Sequence, residues 1–233
     1  MNIRNIEISK LYEGLWQDAL ARFAKGQVEP DWYLANRQSD RRMGVTVIAR
    51  PSQRVIDQYV ALIHQLARVE PHQYYYQPNQ LHITVLSLFT ATESSEPYFS
   101  RLADYLALSG AILSTARSFT IDFRGVTATP NGIMGQGFPQ DGQLEALREK
   151  LRKALREQDL GQGLDTRYRL RTAHVTLMRF CSPPRALTRL VDILKEHRDF
   201  HFGNSLFQTL QVVKNDWYMS TEKVNVLAEY KLS

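Results

Sequence analysis

Two short stretches carry the residue types that move protons: LHITVLSLF at 81–89 and AHVTLMRF at 173–180. In an extended chain successive side chains point to opposite faces. His82 and Thr84 therefore share one face, with Leu81, Ile83 and Val85 on the other. His174 and Thr176 stand in the same relation to Ala173, Val175 and Leu177, and the next residue on each histidine face, Leu86 or Met178, is long and apolar. A lone strand histidine is most simply a hydrogen-bonded core residue, but that reading must explain the same pattern twice. Two imidazoles facing one another across a cleft can act as a general acid and a general base near neutral pH. One takes a proton from water or a sugar hydroxyl; the other gives one to a leaving oxygen. The threonine hydroxyls can donate to whatever lies between, which suits a phosphodiester whose charge develops on its non-bridging oxygens.

Other chemistries fit less well. A transition metal needs a third and fourth ligand, and neither strand sets a carboxylate or thiol beside its histidine, although distant ligands remain open. No Gly-x-Ser-x-Gly elbow and no Walker-type phosphate loop is present. The expectation is catalysis with no cofactor and no metal.

The elements that must position these residues follow from periodicity and breakers. Residues 1–42 read as a helical extension, amphipathic around LYEGLWQDALARFAKG, ending at Gly26 and followed by a loop with Pro30. VTVIA at 45–49 reads as a strand, and Pro51-Ser52 as the start of a helix in which Val55, Ile56, Tyr59, Leu62, Ile63 and Leu66 recur at helical spacing before Pro71. After the first histidine strand come a helix around Tyr98–Leu108 and a strand at FTIDFRGV (119–126). An Asn131-Gly132 turn leads into IMGQGF, then a helix spans about Leu144–Gln158. The second histidine strand precedes Pro183-Pro184, a helix to about His197 and two closing strands, LFQTLQVV and KVNVLAEY, joined by KNDWYMSTE. The 92-residue offset between the histidines carries the helix at 54–68 onto 146–160 and the helix near 98–107 onto 190–199. A duplicated strand, helix, strand, helix, strand unit is expected, with a pseudo-twofold axis that brings the histidine faces together.

With 233 residues, 43% hydrophobic and 23% charged, the composition is that of a globular protein with a real core. No apolar run is long enough for a membrane span, and MNIRNIEISK lacks a signal-peptide core, so a cytoplasmic protein with no membrane partner is expected. The single cysteine, Cys181, has no internal disulfide partner and reads as a passive thiol. A net charge of +5 and a pI near 9.3 favour an anionic partner. The basic residues of the 144–158 helix, Arg148, Lys150, Arg152, Lys153 and Arg156, read as a solvated face, whereas Arg167, Arg169 and Arg171 should face one way if that stretch is extended. Asp165 and Glu157 are available to neutralise them. Tyr74–Tyr76, Trp217 and Tyr218 are candidates to stack a base, with Tyr75 and Tyr218 the leading ones, or else packing residues. Gln136, Arg171 and Lys214 are candidate anion contacts, while His64, His72, His197 and His201 carry no expected role.

HITV at 82–85 and HVTL at 174–177, one in each similar half, resemble the two-histidine (2H) phosphoesterase superfamily, whose members are often described as 2′-5′ RNA ligase-like. The resemblance covers about residues 43–232, leaving 1–42 outside. It implies an α+β, bilobal duplicated fold, with two antiparallel sheets, outer helices and a central cleft lined by both motifs. It implies metal-independent cleavage of a cyclic phosphate or of a 2′-5′ or 3′-5′ phosphodiester of RNA or a nucleotide. His82 and His174 would be acid and base, and Thr84 and Thr176 phosphate binders. A non-catalytic nucleotide- or RNA-binding module, and a carbohydrate-acting, mutarotase-like enzyme, are the alternatives. The sequence leaves open which histidine is the acid and what the oligomeric state is.

Overall fold

The computed structural model describes residues 3–233. A long first helix, α1 (Ile3–Phe23), leads through a 3-10 turn at Trp32–Leu34 into β1 (Met43–Ala49) and α2 (Gln53–Val69). A short β2 (Tyr74–Tyr75) precedes β3 (Ile83–Thr92), which carries the first motif; α3 (Glu96–Phe99) and α4 (Leu102–Leu113) follow. Then come the hairpin β4 (Phe119–Thr129) and β5 (Gly132–Pro139), α5 (Gln143–Glu157), β6 (Val175–Arg179) with the second motif, and α6 (Leu187–Glu196). The chain closes with β7 (His201–Phe207), β8 (Thr209–Asp216) and β9 (Asn225–Lys231).

All strand pairs are antiparallel, and the order β7-β4-β5-β6-β3-β1-β8-β9 is two four-stranded sheets joined into one continuous sheet at the motif strands β6 and β3. That junction rests on one ladder pair, Ile83↔Val175, while β2 pairs with the other flank of β6. The sheet order makes β3, β1, β8 and β9 the counterparts of β6, β5, β4 and β7. Read along the chain, β1-α2-β3-α4-β4 therefore repeats as β5-α5-β6-α6-β8, with the last strand of each unit handed to the other unit's sheet. The helices cross over too: α2 packs on β7, β6 and α6, whereas α5 packs on β3 and α4.

Packing follows the periodicity. The buried residues of α2 are Val55, Ile56, Tyr59, Leu62, Ile63 and Leu66, the six at helical spacing in the sequence. Tyr59 lies against Phe202 with ring centroids 4.5 Å apart, and its approach to β5 requires Gly135, where a Cβ would stand 2.3 Å from the tyrosine oxygen. The extension is part of this core: Trp16, Ala19 and Phe23 join the main cluster, and α1 packs on β4 and β5. The buried Tyr12 hydroxyl accepts from the Gly137 amide (3.2 Å) and donates to the Gly137 carbonyl (3.3 Å).

The structure corrects three expectations. LFQTLQVV is two strands, because the chain leaves β7 at the edge of one sheet and enters β8 in the other, turning at Gln208; residue propensity sees the run and not the change of sheet. The basic face of α5 is not all solvated: Arg148 is 1% exposed and Arg152 fully buried, on the side of Leu144, Leu147, Leu151 and Leu155. The 167–171 stretch lies outside regular strand. Its arginines diverge, Arg169 to Glu149 (2.7 Å) and Arg171 to Glu7 (3.1 Å), and Asp165 pairs with Arg152 (2.8 Å). No helix among the described residues is long and apolar enough to cross a membrane.

Candidate functional site

The two motifs meet at the junction of the sheets. Antiparallel pairing at Ile83↔Val175 sets the preceding residue of each strand opposite the following residue of the other. His82 thus lies across from Thr176, and Thr84 across from His174. All four are half-buried and line a single cleft together with Thr46, Tyr76, Ser87, Thr90, Arg167, Arg179 and Trp217. Ile83, Val85, Val175 and Leu177 on the opposite faces are fully buried, so the core fixes which side the histidines take.

The histidines differ in what holds them. His82 Nδ1 lies 2.6 Å from the Gln80 carbonyl oxygen. A carbonyl only accepts, so Nδ1 carries the hydrogen and Nε2 is left as the free ring nitrogen. His174 Nδ1 lies 2.8 Å from the Thr172 hydroxyl, which accepts from an imidazolium or donates to a neutral ring. Burial pushes both imidazoles down, each to about 4. The fields of Arg50 and Arg179 add to the effect at His82, and those of Arg148, His82 and Arg179 at His174.

Arg179 is a site residue that the sequence reading passed over. Its Nε donates to Tyr76 Oη (2.9 Å), it forms no salt bridge among the described residues, and its charge is felt by both histidines. Strict alternation puts Arg179, the last residue of β6, on the face away from His174 and Thr176; a register shift opposite Thr176–Met178 brings it into the cleft instead. Arg179 and Arg167 approach the Trp217 indole, with guanidinium carbons 5.8 and 4.5 Å from the ring centroid. Ser87 was missed because β3 contains irregularities near Thr84–Phe89 that break its alternation and pair Ser87 with Thr46.

The five secondary candidates do not line the cleft. Tyr75 donates to the Glu70 carbonyl (2.9 Å) on the far side of β2. Gln136 is buried with its amide on the Val126 carbonyl (2.7 Å). Arg171 is paired with Glu7, and the Lys214 ammonium sits 4.8 Å from the Phe99 ring centroid. Tyr218 is 1% exposed and bonded to Arg42 (3.0 Å). The reason lies in Asp216: it accepts from the amides of Tyr218 (3.1 Å) and Ser220 (2.8 Å) and from the Ser220 hydroxyl (2.6 Å), so the turn buries Tyr218 and gives Trp217 to the cleft. Among the described residues no group of three or more His, Cys, Asp or Glu side chains is placed to hold a metal ion.

Several solved structures superimpose on this arrangement. TT0787 of Thermus thermophilus matches with a TM-score of 0.56 at 21% identity, covering 81% of this chain and 97% of that one. Escherichia coli LigT complexed with ATP matches with a TM-score of 0.54 at 12% identity, covering 82% and 99%. A phosphoesterase matches at 0.52 and 15%, also covering 82% and 99%. The chain has the two-histidine phosphoesterase fold. Neither a family sequence model nor a curated protein sequence matches it.

Proposed function

We propose that the chain is a two-histidine phosphoesterase: a metal-independent phosphodiesterase acting on a cyclic phosphate or a 2′-5′ or 3′-5′ diester of RNA or a nucleotide. The observation that carries this reading is the cross-strand pairing of each histidine with the other motif's threonine in a cleft that also holds Arg179. A phosphodiester seated there meets two hydroxyl donors and a guanidinium on its non-bridging oxygens, with one imidazole for the nucleophile and one for the leaving oxygen. LigT structures complexed with ATP, 3′-AMP and NADP+ support a nucleotide as the ligand class. A cleft in which arginine charge lowers both imidazoles is a poor seat for a divalent cation, and the one carboxylate lining it, Asp165, is engaged by Arg152.

The histidine partners support a division of labour. His82, with Nδ1–H held by a carbonyl, presents the Nε2 lone pair and acts as base: it takes a proton from water as the water oxygen bonds to phosphorus. His174 as imidazolium gives its Nε2 proton to the ribose oxygen as the P–O bond breaks. Thr172 accepts from Nδ1 before the transfer and donates to the neutral ring, with tautomer change, after it. The products are a phosphomonoester and a free hydroxyl, and solvent exchange restores both histidines. Burial and arginine charge push both imidazoles down to about 4, so the anionic diester itself must raise His174 by opposing the arginine field.

The test is turnover, with a chelator present, of 2′,3′-cyclic nucleotides and of 2′-5′- and 3′-5′-linked dinucleotides, read by product chromatography. Hydrolysis of at least one compound in the chelator, abolished by His82→Ala, is expected. Activity that disappears with the chelator and returns with a divalent ion overturns the metal-independent reading. Tight nucleotide binding with no turnover leaves the binding-module reading in its place.

A further inference from the structure

We propose that Arg148 is a positioning residue, a guanidinium clamp from α5 that sets the separation of the two motif strands and so of the two histidines; this rests on the function proposed above. The need for a clamp is topological. β3 and β6 share one ladder pair, Ile83↔Val175, beside the cleft. Past that pair, toward residues 84–85 of one strand and 172 of the other, no ladder bond joins them. Arg148 occupies this seam. Its Nε donates to the Val85 carbonyl, and Nη2 donates to the carbonyls of Thr84 and Thr172, each at 2.8 Å. One rigid planar group thus replaces the missing ladder, and a planar fork suits fixed carbonyls better than a flexible ammonium does.

The bonded residues are those next to the chemistry. Thr84 is itself in the cleft, and Thr172 holds His174 through its hydroxyl. The guanidinium is 1% exposed, and the nearest carboxylate, Glu145, stands 3.7 Å away. Burying a charge with so little compensation costs stability unless its hydrogen bonds do something a neutral side chain cannot. The counterpart helix α2 buries only Val55, Ile56, Tyr59, Leu62, Ile63 and Leu66, none of them basic, so the clamp exists on one side only. It is also a fixed charge felt by His174, as are Arg179 on β6 and His82 before β3; Thr172 bonds the ring from its own segment, and Tyr12 on α1 lies beside Arg148 and Thr172.

Two variants of the full-length chain test this, with a 2′,3′-cyclic nucleotide for turnover and histidine NMR titration with inorganic phosphate as a readout that needs no turnover. Arg148→Met removes bonds and charge: kcat is expected to fall on the order of 10²-fold, as for a small misplacement of reacting groups, with KM within about threefold. The His174 titration moves up, because a positive charge that disfavours the imidazolium is gone. Arg148→Lys keeps the charge and loses the fork: kcat falls roughly tenfold and His174 titrates as in the unmodified protein. If Arg148→Met does not fold, Arg148→Lys decides alone. The clamp is overturned if Arg148→Lys retains full kcat, or if Arg148→Met folds and leaves both kcat and the His174 titration unchanged. Should the unmodified protein turn over no diester, the proposed function fails, and the titration arm still decides the clamp: an unmoved His174 in Arg148→Met overturns it.

Discussion

The two halves of the molecule repeat a His-x-Thr motif, yet surround it differently. In the first half His82 is held by a backbone carbonyl, and α2 buries no basic residue. In the second half His174 is held by a side-chain hydroxyl and backed by Arg148. A symmetric scaffold brings two like groups together; the asymmetry of their partners makes them different. A carbonyl fixes one tautomer, whereas a hydroxyl follows the proton in either direction, and on the proposed function that is the difference between a standing base and a group that cycles as an acid.

The largest test of this contrast is removal of either imidazole. His82→Ala and His174→Ala should each lower kcat/KM by on the order of 10² to 10⁴, and the double variant should lose less than the product of the two, as expected for groups that act as a unit. Steady-state rates on one diester settle it; strict multiplicativity would separate the two histidines. Next, Arg179→Met should cost about 10- to 100-fold, through weaker binding of the phosphate, and should raise the NMR titration of both histidines, since its charge lowers both. A shift confined to one histidine would mean that Arg179 serves only that half.

Thr84→Val and Thr176→Val each remove one donor to a charged oxygen, for roughly tenfold in rate or phosphate affinity. Thr172→Val probes the asymmetry itself: about tenfold in kcat with KM kept, and no equivalent variant exists for His82, whose partner is backbone. Arg171→Ala, at the exposed ion pair with Glu7, should change turnover less than about twofold.

The pH dependence follows from both imidazoles being pushed down to about 4. The free protein favours two neutral histidines at pH 7, so the bell for kcat/KM should lie on the acid side of neutrality, and the bell for kcat, which reports the complex with bound anion, should lie at higher pH. Stability carries the same sign. Below the unfolded value of about 6.5 the unfolded chain binds more protons than the folded one. These two groups therefore make the protein less stable as pH falls from about 6.5 toward 4, and denaturant midpoints across that window measure it. Replacing both histidines by Gln should flatten the slope.

Much of this was written in local pattern. Six helical positions of α2, the alternation around each histidine and the 92-residue offset all report short-range constraints that a core imposes on its own residues. What was illegible depends on distant partners. Arg148 and Arg152 look like any basic helix face until the carbonyls of the motif strands and Asp165 are set beside them. Trp217 and Tyr218 are adjacent and aromatic, and only the hydrogen bonds gathered by Asp216 decide which faces the cleft. The split of LFQTLQVV between sheets is likewise a matter of topology, since both pieces are good strand sequence.

The most direct test of the central claim is leaving-group rescue in the two histidine variants, comparing a nucleoside phosphodiester with the corresponding p-nitrophenyl ester, whose phenolate departs without a proton. The account predicts that His174→Ala recovers to within about tenfold of the unmodified rate on the p-nitrophenyl ester while His82→Ala stays roughly 10²-fold or more below it. Equal losses for both variants on both esters, or near-normal rates for both on the nucleoside ester, would contradict it.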